Sequence, residues 1–169
     1  MELCLVRHGL AGAAGPEWPD DRLRPLTKKG VREMGAVATG LRMLFLPDVV
    51  LTSPMLRAIQ TAEVLCDAFG IDGLHISEAL ASDDYERLFA GIAATRSERV
   101  LAVGHLPWMC ETISYAFTGD PHEMHCLCEK GGAALLKFPA GPSAGKASLQ
   151  WLLQPDALKL MADGAASRR

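Results

Sequence analysis

Very little in this sequence points away from an ordinary globular protein. Seventeen Lys and Arg face 20 Asp and Glu, a net charge of −3. With no excess of positive charge, neither nucleic acid nor an anionic membrane surface is an expected partner; a local cationic pocket is still compatible with that balance. No run of 18 apolar residues occurs, so no transmembrane helix is predicted. The short apolar stretch at the start, Met1 to His8, has neither a basic leader nor a small-residue cleavage site in the usual place. No signal peptide is expected, and the predicted location is cytoplasmic. The five cysteines (Cys4, Cys66, Cys110, Cys126 and Cys128) are odd in number and irregularly spaced. That argues against a disulfide framework and predicts reduced thiols, most of them filling core. Internal repeats and low-complexity blocks are absent. A chain of 169 residues that is 49% apolar can bury about 70% of its unfolded surface, enough for one self-sufficient core.

The hydrophobic pattern alternates between short apolar runs and helical periodicity. It predicts an α/β sandwich of three layers around a mostly parallel sheet. Glu2–Val6, Asp48–Thr52, Leu74–Ile76 and Arg99–Val103 read as strands. Residues 9–26, rich in Gly, Pro, Asp and Arg, form a long loop of the kind that carries function. Thr27 is the expected N-cap of a helix over Lys28–Leu44, with Val31, Met34, Ala38, Leu41 and Phe45 inward. Ser53-Pro54 reads as the cap and first position of the next helix, which Gly70 ends. Asp83–Ala94 is helical, and Pro107 opens another helix that turns Met109, Ile113, Ala116 and Phe117 inward. Ala133–Phe138 and Ala147–Leu153 form an antiparallel hairpin at the sheet edge. A domain over residues 1–155 is expected, followed by a tail over 156–169 that frays from Ala162 onward.

Three of the predicted strands end in the same kind of polar residue: Arg7-His8-Gly9, Thr52-Ser53 with Arg57 one turn later, and Gly104-His105. In parallel sheets the carboxyl ends of adjacent strands share one crevice, where ligands bind. Two guanidiniums, a neutral imidazole and a second histidine, with helix N-termini nearby, suit a phosphoryl group, and they require no metal. Ser53, Arg57 and Thr61 share one polar stripe, opposite the helix's apolar face. Taken alone, Arg57 equally reads as an exposed surface arginine.

Four ordered segments carry a resemblance. Leu5-Val6-Arg7-His8-Gly9, Arg24-Pro25-Leu26-Thr27-Lys28-Lys29-Gly30, Thr52-Ser53-Pro54-Met55-Leu56-Arg57-Ala58 and Val103-Gly104-His105-Leu106-Pro107 resemble the histidine phosphatase superfamily. The chain is most similar to its small phosphohistidine phosphatases of the SixA type. The resemblance implies a phosphoglycerate mutase-like fold and no cofactor. It implies that His8 is the nucleophile that becomes phosphorylated, and that Arg7, Arg57 and His105 form the phosphate pocket, with Gly9, Thr27 and Ser53 at the substrate. Many members place an acidic residue after the third strand, where this chain has Glu78; Glu17, Asp20 and Asp21 are rival acids. The orienting partner of His8 is expected to be a backbone carbonyl.

A phosphohistidine leaving group tolerates a poor acid, because its imidazole departs already protonated on the far nitrogen, whereas an alkoxide needs a proton. A phosphorylated protein is therefore the expected substrate. The alternatives are a small phosphomonoester, such as a sugar or nucleotide phosphate, and a phosphoryl-binding domain without turnover. The sequence leaves the oligomeric state open. His122, His125, Cys126 and Cys128 have metal-ligand chemistry but no standard spacing, and read as loop and edge strand. Trp108 reads as packing, and Lys28, Lys29 and Arg32 as a solvated helix start.

Overall fold

The central strand, β1 (Glu2–Arg7), alternates its side chains between two cores. Leu3 and Leu5 point to one, Cys4 and Val6 to the other, and all four are fully buried. A computed structural model describes residues 1–166. Its six strands lie in the order β3-β2-β4-β1-β5-β6, with β2 at Val49–Thr52, β3 at His75–Ile76, β4 at Arg99–Gly104, β5 at Ala133–Lys137 and β6 at Ser148–Leu153. The first four in that order run parallel; β5 is antiparallel to β1, and β6 is antiparallel to β5. This is the expected three-layer sandwich with its edge hairpin.

On one face lie α1 (Lys28–Arg42), α2 (Leu56–Phe69) and α5 (Pro155–Ala166). On the other lie α3 (Tyr85–Ala94) and α4 (Trp108–Thr118). Met34, Leu41, Leu65 and Leu158 fill the first core, and Leu88, Ile92, Met109 and Ile113 the second. Each such side chain contributes about 1.5–3 kcal/mol on burial. Among the described residues no helix is long and apolar enough to cross a membrane.

Thr27 caps α1 as expected, accepting from Gly30 N. Gly70 and Gly119 end α2 and α4 in the left-handed region, at φ 70° and 88°. Four expectations need correction. First, Ser53-Pro54 does not start α2. Ser53 N–H still donates to Val103 O as part of the β-ladder, so the backbone turns into helix only after Met55, and the N-terminus has no side-chain cap. Second, Val31 is 42% exposed, because the buried stripe of α1 runs through Met34, Val37, Ala38 and Leu41 instead. Third, Phe117 is only half buried.

The fourth concerns the tail. Pro155–Ala166 forms α5, which lies against α1 with Leu158 fully buried; residues 167–169 lie outside those described. Small residues let the two helices meet closely, and a Cβ at Gly40 would overlap the Leu158 carbonyl. Gly40→Ala is therefore expected to lower unfolding stability by about 1–3 kcal/mol, measured by urea denaturation. An unchanged midpoint would show that α5 does not dock there.

Candidate active site

Strand register brings the site together. Arg7 pairs with Gly104, and Thr52 with Val103, so β1, β2 and β4 end at one level. His8 N–H continues the ladder by donating to Gly104 O at 2.9 Å. The rings of His8 and His105 then lie 6.4 Å apart, at 61° to each other.

His8 is 5% exposed. Its Nδ1 lies 2.8 Å from the Gly9 carbonyl oxygen, which accepts only if Nδ1 carries the proton. The Nε2 lone pair is thereby left free and faces Arg57, whose Nε–H donates to it at 3.3 Å. Burial pushes the His8 pKa down to about 3. The charges of Arg57 and Arg7 and the neighbouring His105 act in the same direction, while the bond to Gly9 opposes them. His105 is likewise pushed down to about 4, by burial and by Arg57. Both rings are neutral near pH 7, as nucleophilic chemistry at nitrogen requires.

Arg57 is not a surface arginine. It is 5% exposed, on the inward side of α2. Its Nη1 donates to Asp21 O at 2.8 Å, and Nη2 lies 3.0 Å from Asp21 Oδ2. Asp21 sits in a 3-10 turn, Asp21–Leu23, within the long first loop. Its carboxyl is held below the usual range by a 2.7 Å bond from Arg24 and by the charge of Arg57, so it is ionised and unsuited to give a proton. Arg7 ends β1 directly before His8. Its Nη1 donates to Cys128 O at 2.7 Å, while its buried Nε has no partner. Arg7 also borders a cleft of about 320 Å³ with Leu10, Glu33, Lys130 and Lys159.

Gly9, Thr27 and Ser53 each carry scaffold hydrogen bonds. Gly9 N–H donates to Thr61 Oγ1, the Thr27 hydroxyl caps α1 and bonds Leu10 O, and Ser53 is fully buried. Gly9 must be glycine for lack of room, since a Cβ there would sit 2.5 Å from Met34 Cγ. Thr61 is the residue that sequence reasoning left without a role. Its hydroxyl donates to Arg57 O at 2.7 Å while accepting from Gly9, so it ties the loop after His8 to the helix that carries Arg57. The stripe it shares with Arg57 was the available signal.

Glu78 is 63% exposed in side chain and lies 3.6 Å from Arg22, not against His8. Asp20 is engaged in capping the 3-10 turn, and Glu17 is exposed. Trp108 is buried over Gly104. His122, Cys126 and Cys128 diverge, toward Glu111, Cys110 and the core; among the described residues no three ligating side chains gather as a metal site.

Residues 3–88 match the family model of the histidine phosphatase superfamily (branch 1). An uncharacterised protein of Picosynechococcus sp. is 48% identical over 149 residues, 83% of this chain and 87% of that one. The phosphohistidine phosphatase SixA of Escherichia coli is 26% identical over 166 residues, 95% of this chain and 98% of that one. The structure of the protein histidine phosphatase SixA complexed with tungstate superposes with a TM-score of 0.79 at 26% identity, covering 94% of this chain and 99% of that one.

Two predictions follow from the geometry. In the unfolded chain a histidine titrates near 6.5, whereas folded His8 titrates at about 3. Between those values the unfolded state binds the extra proton, so this group's contribution to stability is full above 6.5 and is lost as pH falls. The unfolding free energy of His8→Gln should therefore depend less steeply on pH than that of wild type between about pH 4 and 6.5. Equal slopes would rule out a buried neutral His8. Separately, Thr61→Val leaves the Gly9 amide unpaired and should cost about 1–3 kcal/mol in the same assay.

Proposed function

The chain belongs to the histidine phosphatase superfamily (branch 1) and is a phosphatase, and from that footing we propose that it removes phosphate from phosphohistidine on a protein, through a phosphorylated His8. The observation that carries the reading is the His8 imidazole itself: neutral, with Nδ1–H fixed on Gly9 O and Nε2 facing the guanidinium of Arg57.

The phosphoryl group lies between Arg7, Arg57 and His105, its charge met by two guanidiniums that stay cationic at any working pH. His8 Nε2 attacks phosphorus as the bond from phosphorus to the substrate nitrogen breaks. The substrate imidazole, protonated on its far nitrogen, leaves neutral and takes no proton from the enzyme. Water then attacks phospho-His8, inorganic phosphate departs with the water's oxygen, and His8 returns to its neutral state. The Gly9 carbonyl stabilises the positive charge that builds on the ring during attack.

Two features support a protein substrate. Among the described residues no carboxylate is hydrogen-bonded to His8 to protonate an alkoxide: Glu78 is exposed beside Arg22, and Asp21 is held ionised by Arg24 and Arg57. The cleft beside Arg7 carries both charge signs, with Glu33, Glu129 and Asp156 facing Lys130 and Lys159. Such walls suit a polar polypeptide surface better than a compact polyanion. A cytoplasmic site of action goes with five unpaired cysteines.

The test is phosphate release from a phosphohistidine protein and from an aryl phosphate, with chelator present throughout. His8→Ala should lose turnover by on the order of 10³-fold or more while remaining folded by circular dichroism. Turnover near the wild-type level in that folded variant would refute the covalent route. Glu78→Gln should stay within about threefold of wild type on the phosphohistidine protein, where a required general acid would cost about 10²-fold. Faster turnover of the aryl phosphate would assign a small phosphomonoester instead, and stable binding without release would assign a phosphoryl-binding domain.

A further inference from the structure

Two of the five free cysteines meet across 16 residues of sequence. Cys110 lies in the first turn of α4, five residues after His105, and Cys126 in the segment between α4 and β5. Their sulfurs are 2.7 Å apart, and Cys110 Sγ also lies 2.9 Å from the Cys126 carbonyl oxygen. A disulfide bond is about 2.05 Å long, so closure needs a movement well under an ångström. Both residues are half exposed, whereas Cys4 and Cys128 are fully buried and Cys66 is 6% exposed. Of the five, this pair is open to a small oxidant.

The two sulfurs are also unlike. Cys110 sits at a helix N-terminus, where the dipole favours a thiolate. Its hydrogen bond with Cys126 and the charge of Arg7 draw its pKa down, while that same contact and burial push Cys126 up. One sulfur is prepared to attack, and the other to resolve.

Two residues beyond Cys126 is the carbonyl of Cys128, which holds the Arg7 guanidinium at 2.7 Å. The intervening segment is braced by Gln154, which donates to Leu127 O and accepts from Glu129 N. Cys126 thus stands two residues from the carbonyl that anchors Arg7, on a short segment fixed at Leu127 and Glu129.

We propose that Cys110 and Cys126 form a reversible redox pair, which a peroxide converts to a disulfide, and that closure displaces the Cys128 carbonyl and weakens phosphate binding by Arg7. The Cys110 thiolate attacks one peroxide oxygen and the O–O bond breaks, giving a sulfenic acid; the departing hydroxide takes up the proton that Cys110 released on ionising and becomes water. The Cys126 sulfur then attacks that sulfur, the S–O bond breaks, a second water leaves, and the S–S bond forms. One peroxide is reduced by two electrons, and two thiols are oxidised. A thiol reductant reverses the change. The disulfide stands on the sulfur geometry alone; its effect on phosphate rests on the pocket proposed above.

The whole protein is treated with one equivalent of hydrogen peroxide, alkylated and mapped by peptide mass spectrometry, and inorganic phosphate binding is measured by calorimetry before oxidation, after it and after reduction. The expected result is a Cys110–Cys126 linkage, phosphate affinity about tenfold weaker, and recovery on reduction. Neither change should occur in Cys126→Ser or Cys110→Ser. No linkage, or linkage of another pair, overturns the redox pair. A mapped Cys110–Cys126 disulfide with unchanged phosphate affinity overturns the coupling. Reduced protein that binds no phosphate overturns the pocket reading and the coupling with it, while the peptide map still decides the disulfide.

Discussion

The backbone of Gly9 is the point on which the candidate site depends. Its carbonyl accepts from His8 Nδ1 and so decides which ring nitrogen is free. Its amide donates to Thr61, whose hydroxyl in turn grips the backbone of Arg57. The two peptide groups that flank one Cα thus set the His8 tautomer and tie its loop to the helix that carries Arg57. The requirement extends downward into the core, because Met34 packs too closely beneath Gly9 to admit any side chain. Packing and chemistry meet at a single residue, and neither can be altered without the other.

Electrostatics follows from the same arrangement. Two arginines and two histidines converge where strands end, and four cations there would repel one another. Burial resolves the conflict by keeping both imidazoles neutral. The long first loop adds a carboxylate, Asp21, which pairs with Arg57 and Arg24 at the rim. The long loop that the sequence marks as functional therefore takes part in the charge balance of the pocket.

The elements were legible because period and punctuation agree: Arg99–Val103 is a continuous apolar run, Thr27 caps its helix, and Gly70 ends one. The strand ends carried the site, so Arg7, His8, Arg57 and His105 could be named before any coordinates. The misses share a cause. Ser53 reads as a helix cap because local chemistry favours it, yet a hydrogen bond to Val103, 50 residues away in sequence, holds it in the sheet. The last segment reads as a tail because its residues are small, but small residues are what two closely packed helices need. Thr61 goes without a role because both of its partners, Gly9 N and Arg57 O, are set by the fold. Tertiary partners of this kind leave no periodic trace.

Arg7 and His8 are neighbours in the chain, but they are held by different partners. His8 is fixed by Gly9 and by Arg57 of α2, and Arg7 by the Cys128 carbonyl ahead of β5. Helix α2 packs in one core and Cys128 in the other, so the candidate site is referenced to two separately packed layers. The distance between His8 and Arg7 becomes a gauge of how the layers sit against the sheet. A change of volume deep in either layer can alter the rate from a position that no substrate ever touches.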